Sequence, residues 1–295
     1  MKQAGPLSTV RGAGALILSV AAAWGSTASA ADLTGHVDVV SRYYLRGQTS
    51  TYGNGEPLGN ALADAPESDH PALQWGADYV HDSGFYAGYW GSTINYSYKQ
   101  LGDSYKDRAI TNFQRDKSIE NDFYGGYNGA VGDWGYSVGL TYYYYINGTA
   151  SNAPETKLAL TYGPVTLSAQ TLLQDVVWGN KGDTYWTAVY TRALPYQLTF
   201  STTLGFYTYN KEGKYNGTED TLSGTSCGSG EAFVVNGCYA GKTPVSSAFR
   251  HLTFGLSQPI ADTGLTWSGQ FIVGGRNRFD VKQGNRAVFS LSYGF

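Results

Sequence analysis

Beyond residue 30 the sequence has no apolar run approaching the roughly twenty residues that a membrane-spanning helix needs. Only 15% of its residues are charged and acids outnumber bases, so the basic footprint of a nucleic-acid-binding protein is missing. Cysteine occurs twice, at Cys227 and Cys238, and no histidine lies in the loop that holds them, which disfavours a metal site of thiolates and imidazoles. Gly224-Thr225-Ser226-Cys227-Gly228 matches the pattern G-x-S-x-G. A hydrolase elbow, however, needs a strand before that pattern and a helix after it, and here it sits in a glycine-rich stretch. No catalytic set, metal or cofactor is implied.

Glycine and tyrosine are abundant instead, with 39 and 25 residues. With so little charge, that composition suits many short amphipathic strands rather than helices. At the start, Lys2 and Arg11 precede an apolar run from Ala13 to Trp24, and Ala28-Ser29-Ala30 supplies an A-x-A cleavage pattern. Residues 1–30 therefore read as a secretory signal peptide, its apolar run too short for a membrane anchor. Without Lys2 and Arg11, 18 Lys and Arg stand against 23 Asp and Glu, a formal charge of −5 for residues 31–295. Export to an oxidising compartment makes a Cys227–Cys238 disulfide the expected state of the thiols. Closing a loop of roughly a dozen residues restrains the unfolded chain by about 2–3 kcal/mol.

Strand side chains alternate with a period of two. In Arg286–Phe295, Ala287, Phe289, Leu291, Tyr293 and Phe295 share one face, while Val288, Ser290, Ser292 and Gly294 share the other. A terminal strand with an aromatic face suits a barrel wall against lipid better than a soluble edge. The same alternation recurs along the chain and counts to twelve strands, the first running from Leu33 to Arg46. Short turns at 81–84, 132–135, 163–164, 193–196 and 259–264 interleave with longer links at 47–70, 99–119, 147–154, 174–182, 208–248 and 274–285. Sorting of loop length by parity is the habit of outer-membrane barrels, with short turns and both termini in the periplasm. The predicted fold over residues 31–295 is thus a transmembrane antiparallel β-barrel of about twelve strands, with the long loops 47–70, 99–119 and 208–248 extracellular.

Several blocks resemble a known family: Ser41–Ser50 (SRYYLRGQTS), Pro71–Ser92 (PALQWGADYVHDSGFYAGYWGS), Tyr124–Tyr145 (YGGYNGAVGDWGYSVGLTYYYY), Tyr162–Leu167 (YGPVTL) and the terminal VFSLSYGF. They look like the TorF-type porins, formerly grouped as bacterial proteins of unknown function. The resemblance covers nearly all of residues 31–295 and implies a Gram-negative outer-membrane barrel with a pore, without naming a substrate. A longer first loop and the Gly/Ser-rich loop 208–248 depart from the family pattern, so nothing is carried over to them.

The inward parity holds the candidate site. If the last strand pairs with the first, Arg286 comes near Arg42 and Arg46, and Arg276 and Arg278 continue the same face. Those five guanidinium groups are predicted to line one wall near the outer mouth. Asp38 and Asp78 lie deeper, and Glu155 and Lys157 lie on a distant strand. A basic arc of this kind favours anions; the alternative is that arginines and acids pair into a plug. His36 and His251 also project inward, where a nearby Ser or Thr would be needed for hydrolysis. Trp75, Trp90, Trp134, Trp178, Trp186 and the tyrosines at 142–145 read as interface girdles, with Tyr143 and Tyr145, on the inner parity, as exceptions.

The expected function is passive diffusion of small hydrophilic solutes, anion-biased, through the outer membrane of a Gram-negative cell. The expected partners are membrane lipid, the solutes, and the barrel-assembly machinery acting through Phe295, with no nucleic acid. The alternatives are a barrel enzyme hydrolysing lipid or peptide, and a closed structural or adhesive barrel. Twelve strands enclose a lumen between the filled small barrels and the aqueous porins, so inward loops are placed to narrow it. Intact-mass measurement of the membrane-extracted protein should give a chain lacking residues 1–30, and an uncleaved leader would remove the export reading.

Overall fold

A computed structural model describes residues 32–49, 68–107, 109–110, 112–217, 219, 224, 245–278 and 280–295. The signal segment, Cys227 and Cys238, and most of loops 47–70 and 208–248 lie outside the described residues. Twelve strands follow one another: β1 (Asp32–Val40), β2 (Ala72–Val80), β3 (Phe85–Thr93), β4 (Ile119–Val131), β5 (Trp134–Ile146) and β6 (Ala153–Tyr162). Then come β7 (Val165–Leu172), β8 (Thr184–Ala193), β9 (Thr199–Thr208), β10 (Ser247–Pro259), β11 (Leu265–Gly274) and β12 (Arg286–Gly294). Each pairs antiparallel with its neighbours in sequence, and β12 pairs with β1 to close the barrel, His36 opposite Gly294 and Val40 opposite Ser290.

The alternation sorts the side chains as the sequence predicts. On β5, Val138, Leu140, Tyr142, Tyr144 and Ile146 point outward and exposed, while Ser137, Thr141, Tyr143 and Tyr145 point inward and buried. An apolar exterior around a polar interior is the pattern of a barrel that faces lipid. Closure also leaves no unpaired edge, the condition for backbone in hydrocarbon.

Turn chemistry sets the tight end. Gly132 adopts φ +59 in a two-residue turn between β4 and β5, a conformation that primed hairpin turns require and glycine supplies without strain. Two residues suffice, so Trp134 and Gly135, predicted as turn, instead open β5, where the Trp134 ring packs at a tilt against Tyr162 with centroids 4.7 Å apart. Both ends of the described chain lie with the short turns, since Gly294 donates to the Gly264 carbonyl at 3.0 Å.

Three expectations are corrected at the other end. β1 stops at Val40, not Arg46. Ser41 holds the last rung against Phe289, and the chain then leaves the wall for a 3₁₀ turn, Leu45–Gly47, with Arg46 at φ 50. The 99–119 stretch is not all loop, because Tyr98–Ser104 forms a helix, α1, capped by the Ser97 hydroxyl accepting from the Gln100 amide at 3.1 Å. Trp90 and Trp178 are not girdle residues: Trp90 is buried edge-on against Tyr43, and Trp178 packs on the interior cluster and donates to the Ser151 carbonyl. That cluster, which includes Tyr96, Tyr98, Leu101, Phe113, Tyr143 and Tyr145, sits inside the wall at the long-loop end.

A charge placed on the apolar exterior tests the orientation of the wall. Leu140→Arg, at mid-strand on the outside, should destabilise the barrel in lipid by about 2–4 kcal/mol. Asp133→Arg in the turn should change it little, and equal effects in a urea-refolding assay in vesicles would contradict a lipid-facing β5.

Candidate functional site

From β6 to β12 the inward positions carry mostly hydroxyls and amides. Lys157, Ala159 and Thr161 on β6 stand opposite Gln170, Ser168 and Thr166 on β7. Thr187, Thr203, Thr253, Ser268 and Ser290 continue the ring, and together these side chains bound a cavity of about 370 Å³ that reaches from the Gly163-Pro164 turn to Arg46. Some hydroxyls pair among themselves, Ser168 with Thr187 at 2.5 Å and Ser268 with Ser290 at 2.6 Å. The β2–β5 half is filled by larger groups: Tyr124 donates to Asp78 at 2.5 Å, Tyr86 meets Ser137 at 3.4 Å, and Tyr43 covers Trp90.

Arg46 ends this cavity on the long-loop side. Its guanidinium reaches nearly across the ring of strands to Glu155 on β6, with Nη1 2.9 Å from Oε1 and Nη2 2.5 Å from Oε2. It also donates to the Tyr207 hydroxyl at 2.8 Å, the Tyr143 hydroxyl at 3.0 Å and the Gln170 side-chain Oε1 at 3.2 Å, and lies 4.8 Å from the centre of the Tyr185 ring. The paired side chains are 8% and 2% exposed. Burial works against the guanidinium charge, but the carboxylate beside it outweighs that and holds the pKa well above its ordinary value. Removing one partner of such a pair costs about 3–5 kcal/mol, because the other is left buried and uncompensated. A second cavity of about 30 Å³ lies beyond, and Leu45 and Arg46 line both, so this segment stands between them.

Gly47 permits the approach. At φ +71 it lies so close to β10 that a Cβ there would come within 2.6 Å of the His251 Cβ. His251 is held in turn, Nε2 meeting the Tyr185 hydroxyl at 2.6 Å and Nδ1 the Thr253 hydroxyl at 2.9 Å.

The five predicted arginines do not form one wall. Arg42 is exposed and donates to the Tyr44 hydroxyl at 3.1 Å while lining the cavity, and Arg46 crosses the lumen. Arg278 pairs with buried Asp183, Arg276 pairs with Asp280 of its own loop at 3.3 Å, and Arg286 donates to the Asn285 carbonyl at 3.0 Å. The reason is backbone: β1 ends before Arg42, and Arg276 and Arg278 fall on the β11–β12 connection, so strand parity governs none of the four. Asp38 and Asp78 lie outside the cavity lining; the first meets His36 Nδ1 at 2.9 Å and the second accepts from Tyr124.

Arg250 was not foreseen. With His251 inward, alternation would turn Arg250 toward lipid, but a bulge between Phe249 and His251 shifts the register and both are buried. Arg250 Nε donates to the Arg46 carbonyl at 3.1 Å. An arginine at a lipid-facing parity was the available signal.

The two inward histidines sit in different surroundings. The second ring nitrogen of His36 faces the Gly76 backbone, where a Cβ would lie 2.4 Å away. His251 has hydroxyl partners at both nitrogens.

No curated protein matches the chain. Among solved structures, outer membrane phospholipase A from Escherichia coli aligns over 88% of this chain and 90% of its own, at 12% identity and a TM-score of 0.35. Salmonella typhi OmpF in complex with daunomycin aligns over 90% and 97%, at 10% identity and 0.37. The outer membrane protein OprD from Pseudomonas aeruginosa aligns over 92% and 66%, at 14% identity and 0.33. A family model matches residues 25–247, and on that match the protein belongs to Gcw_chp, a family of bacterial proteins of unknown function.

Proposed function

We propose that this protein is an outer-membrane channel of Gram-negative cells for passive diffusion of small hydrophilic solutes, biased toward anions and stoppered at its loop end by the Arg46 segment. One observation carries the reading: among the described residues, Arg42, Arg46 and Lys157 line the cavity together with nine Ser and Thr residues, and no carboxylate does. Such a lining replaces the hydration of a polar solute and attracts negative charge. The TorF-type resemblance supports a pore, and loop-length parity supports periplasmic termini. Membrane lipid then faces the exterior, and the exposed terminal Phe295 is offered to the barrel-assembly machinery. The reading includes no catalytic step, cofactor or nucleic acid.

A closed structural or adhesive barrel is the second reading, favoured by the buried Arg46–Glu155 pair. Planar-bilayer recording separates the two. Arg46→Ala and Glu155→Gln should each raise single-channel conductance several-fold over the native barrel, because an unpaired partner is costly enough to expel the segment. Reversal potentials in a salt gradient should show anion preference. Silent membranes with native protein and both variants would remove the channel and leave the closed barrel.

A further inference from the structure

Two groups in the cavity lack partners. Lys157 is 5% exposed, and among the described residues it has no hydrogen bond and no carboxylate within ion-pair distance. Asp78 attracts its charge only through space, and that carboxylate is held by Tyr124. Thr203, on the β9 side of the same cavity, has a buried hydroxyl oxygen that is likewise unpartnered. The other two lining cations are engaged, Arg46 with Glu155 and Arg42 with the Tyr44 hydroxyl. Buried polar groups ordinarily find partners, and a buried charge needs one more than a neutral group does.

We propose that this cavity is a binding site for a small hydroxylated carboxylate, with Lys157 taking the carboxylate and Thr203 and its neighbouring hydroxyls taking the solute's hydroxyl groups. One free ammonium suits a monoanion, whereas a phosphate dianion would call for a second free cation. Side chains of Ser and Thr both donate and accept, which matches a solute whose hydroxyls do the same. At about 370 Å³ the space is at the small end of ligand pockets and fits a solute of a few carbons rather than a peptide or a lipid. The site rests on the channel reading for the solute's passage but not for its binding.

The test is calorimetric titration of the purified full-length barrel in detergent with gluconate, its neutral analogue sorbitol, and inorganic phosphate. Gluconate should bind saturably and at least tenfold more tightly than either of the others. Lys157→Met should weaken it at least tenfold, and Lys157→Arg should keep most of it. Thr203→Val, nearly isosteric, should weaken it several-fold and decides the matter if Lys157→Met fails to migrate as a folded barrel on unheated gels. Absence of saturable gluconate binding, equal binding of sorbitol or phosphate, or native affinity in Lys157→Met or Thr203→Val would overturn the site. Gluconate binding to a barrel that carries no current would sink the channel and keep the site, and current without binding would do the reverse.

Discussion

Backbone pairing of the first strand with the last is the constraint on which everything else depends. Gly35 and Phe295 exchange both of their main-chain hydrogen bonds, at 2.8 and 2.9 Å, and the register continues along β1 and β12. In hydrocarbon an open edge would leave a row of unsatisfied amides and carbonyls, each costing several kcal/mol. The contact is tight: a Cβ at Gly35 would stand 2.6 Å from the Phe295 ring, so a larger residue there would push the terminal aromatic aside. Closing the seam settles which face is inside, and thereby where the chain after Val40 must enter the lumen.

The interior is divided rather than uniform. Against β2–β5 it is packed with tyrosine and tryptophan, and against β6–β12 it is lined with hydroxyls around open space. The segment between is held by Arg46, which reaches Tyr143 on β5, Glu155 on β6, Gln170 on β7 and Tyr207 on β9, and by bonds to its main chain such as that from Arg250 Nε to the Arg46 carbonyl. Buried ion pairs of this sort add little net stability against an apolar substitute, but they are sensitive to loss of either partner. Removing either charge would therefore weaken the hold on this segment.

Much of this was legible beforehand. All twelve strands, the antiparallel order, the parity of loop lengths, and the inward turn of Tyr143 and Tyr145 against the outward Tyr142 and Tyr144 follow from a period of two, a local property of extended backbone. The same rule misled wherever the chain ceased to be extended. It carries Arg42 and Arg46 along a wall that ends at Val40, and it gives no sign of the bulge that brings Arg250 inside beside His251. Trp90 was legible as inward by parity but was assigned to the interface on residue type.

The amino-acid sequence by itself determined a closed cylinder with an apolar outside and a polar inside, because alternation, glycine turns and strand count are set within a few residues of one another. Tertiary structure alone decided that Arg46 meets Glu155, 109 residues away, and that Lys157 and Thr203 are left facing open space. Those contacts depend on ring closure and on the path of an irregular segment through the lumen, and neither distance is encoded by any local spacing.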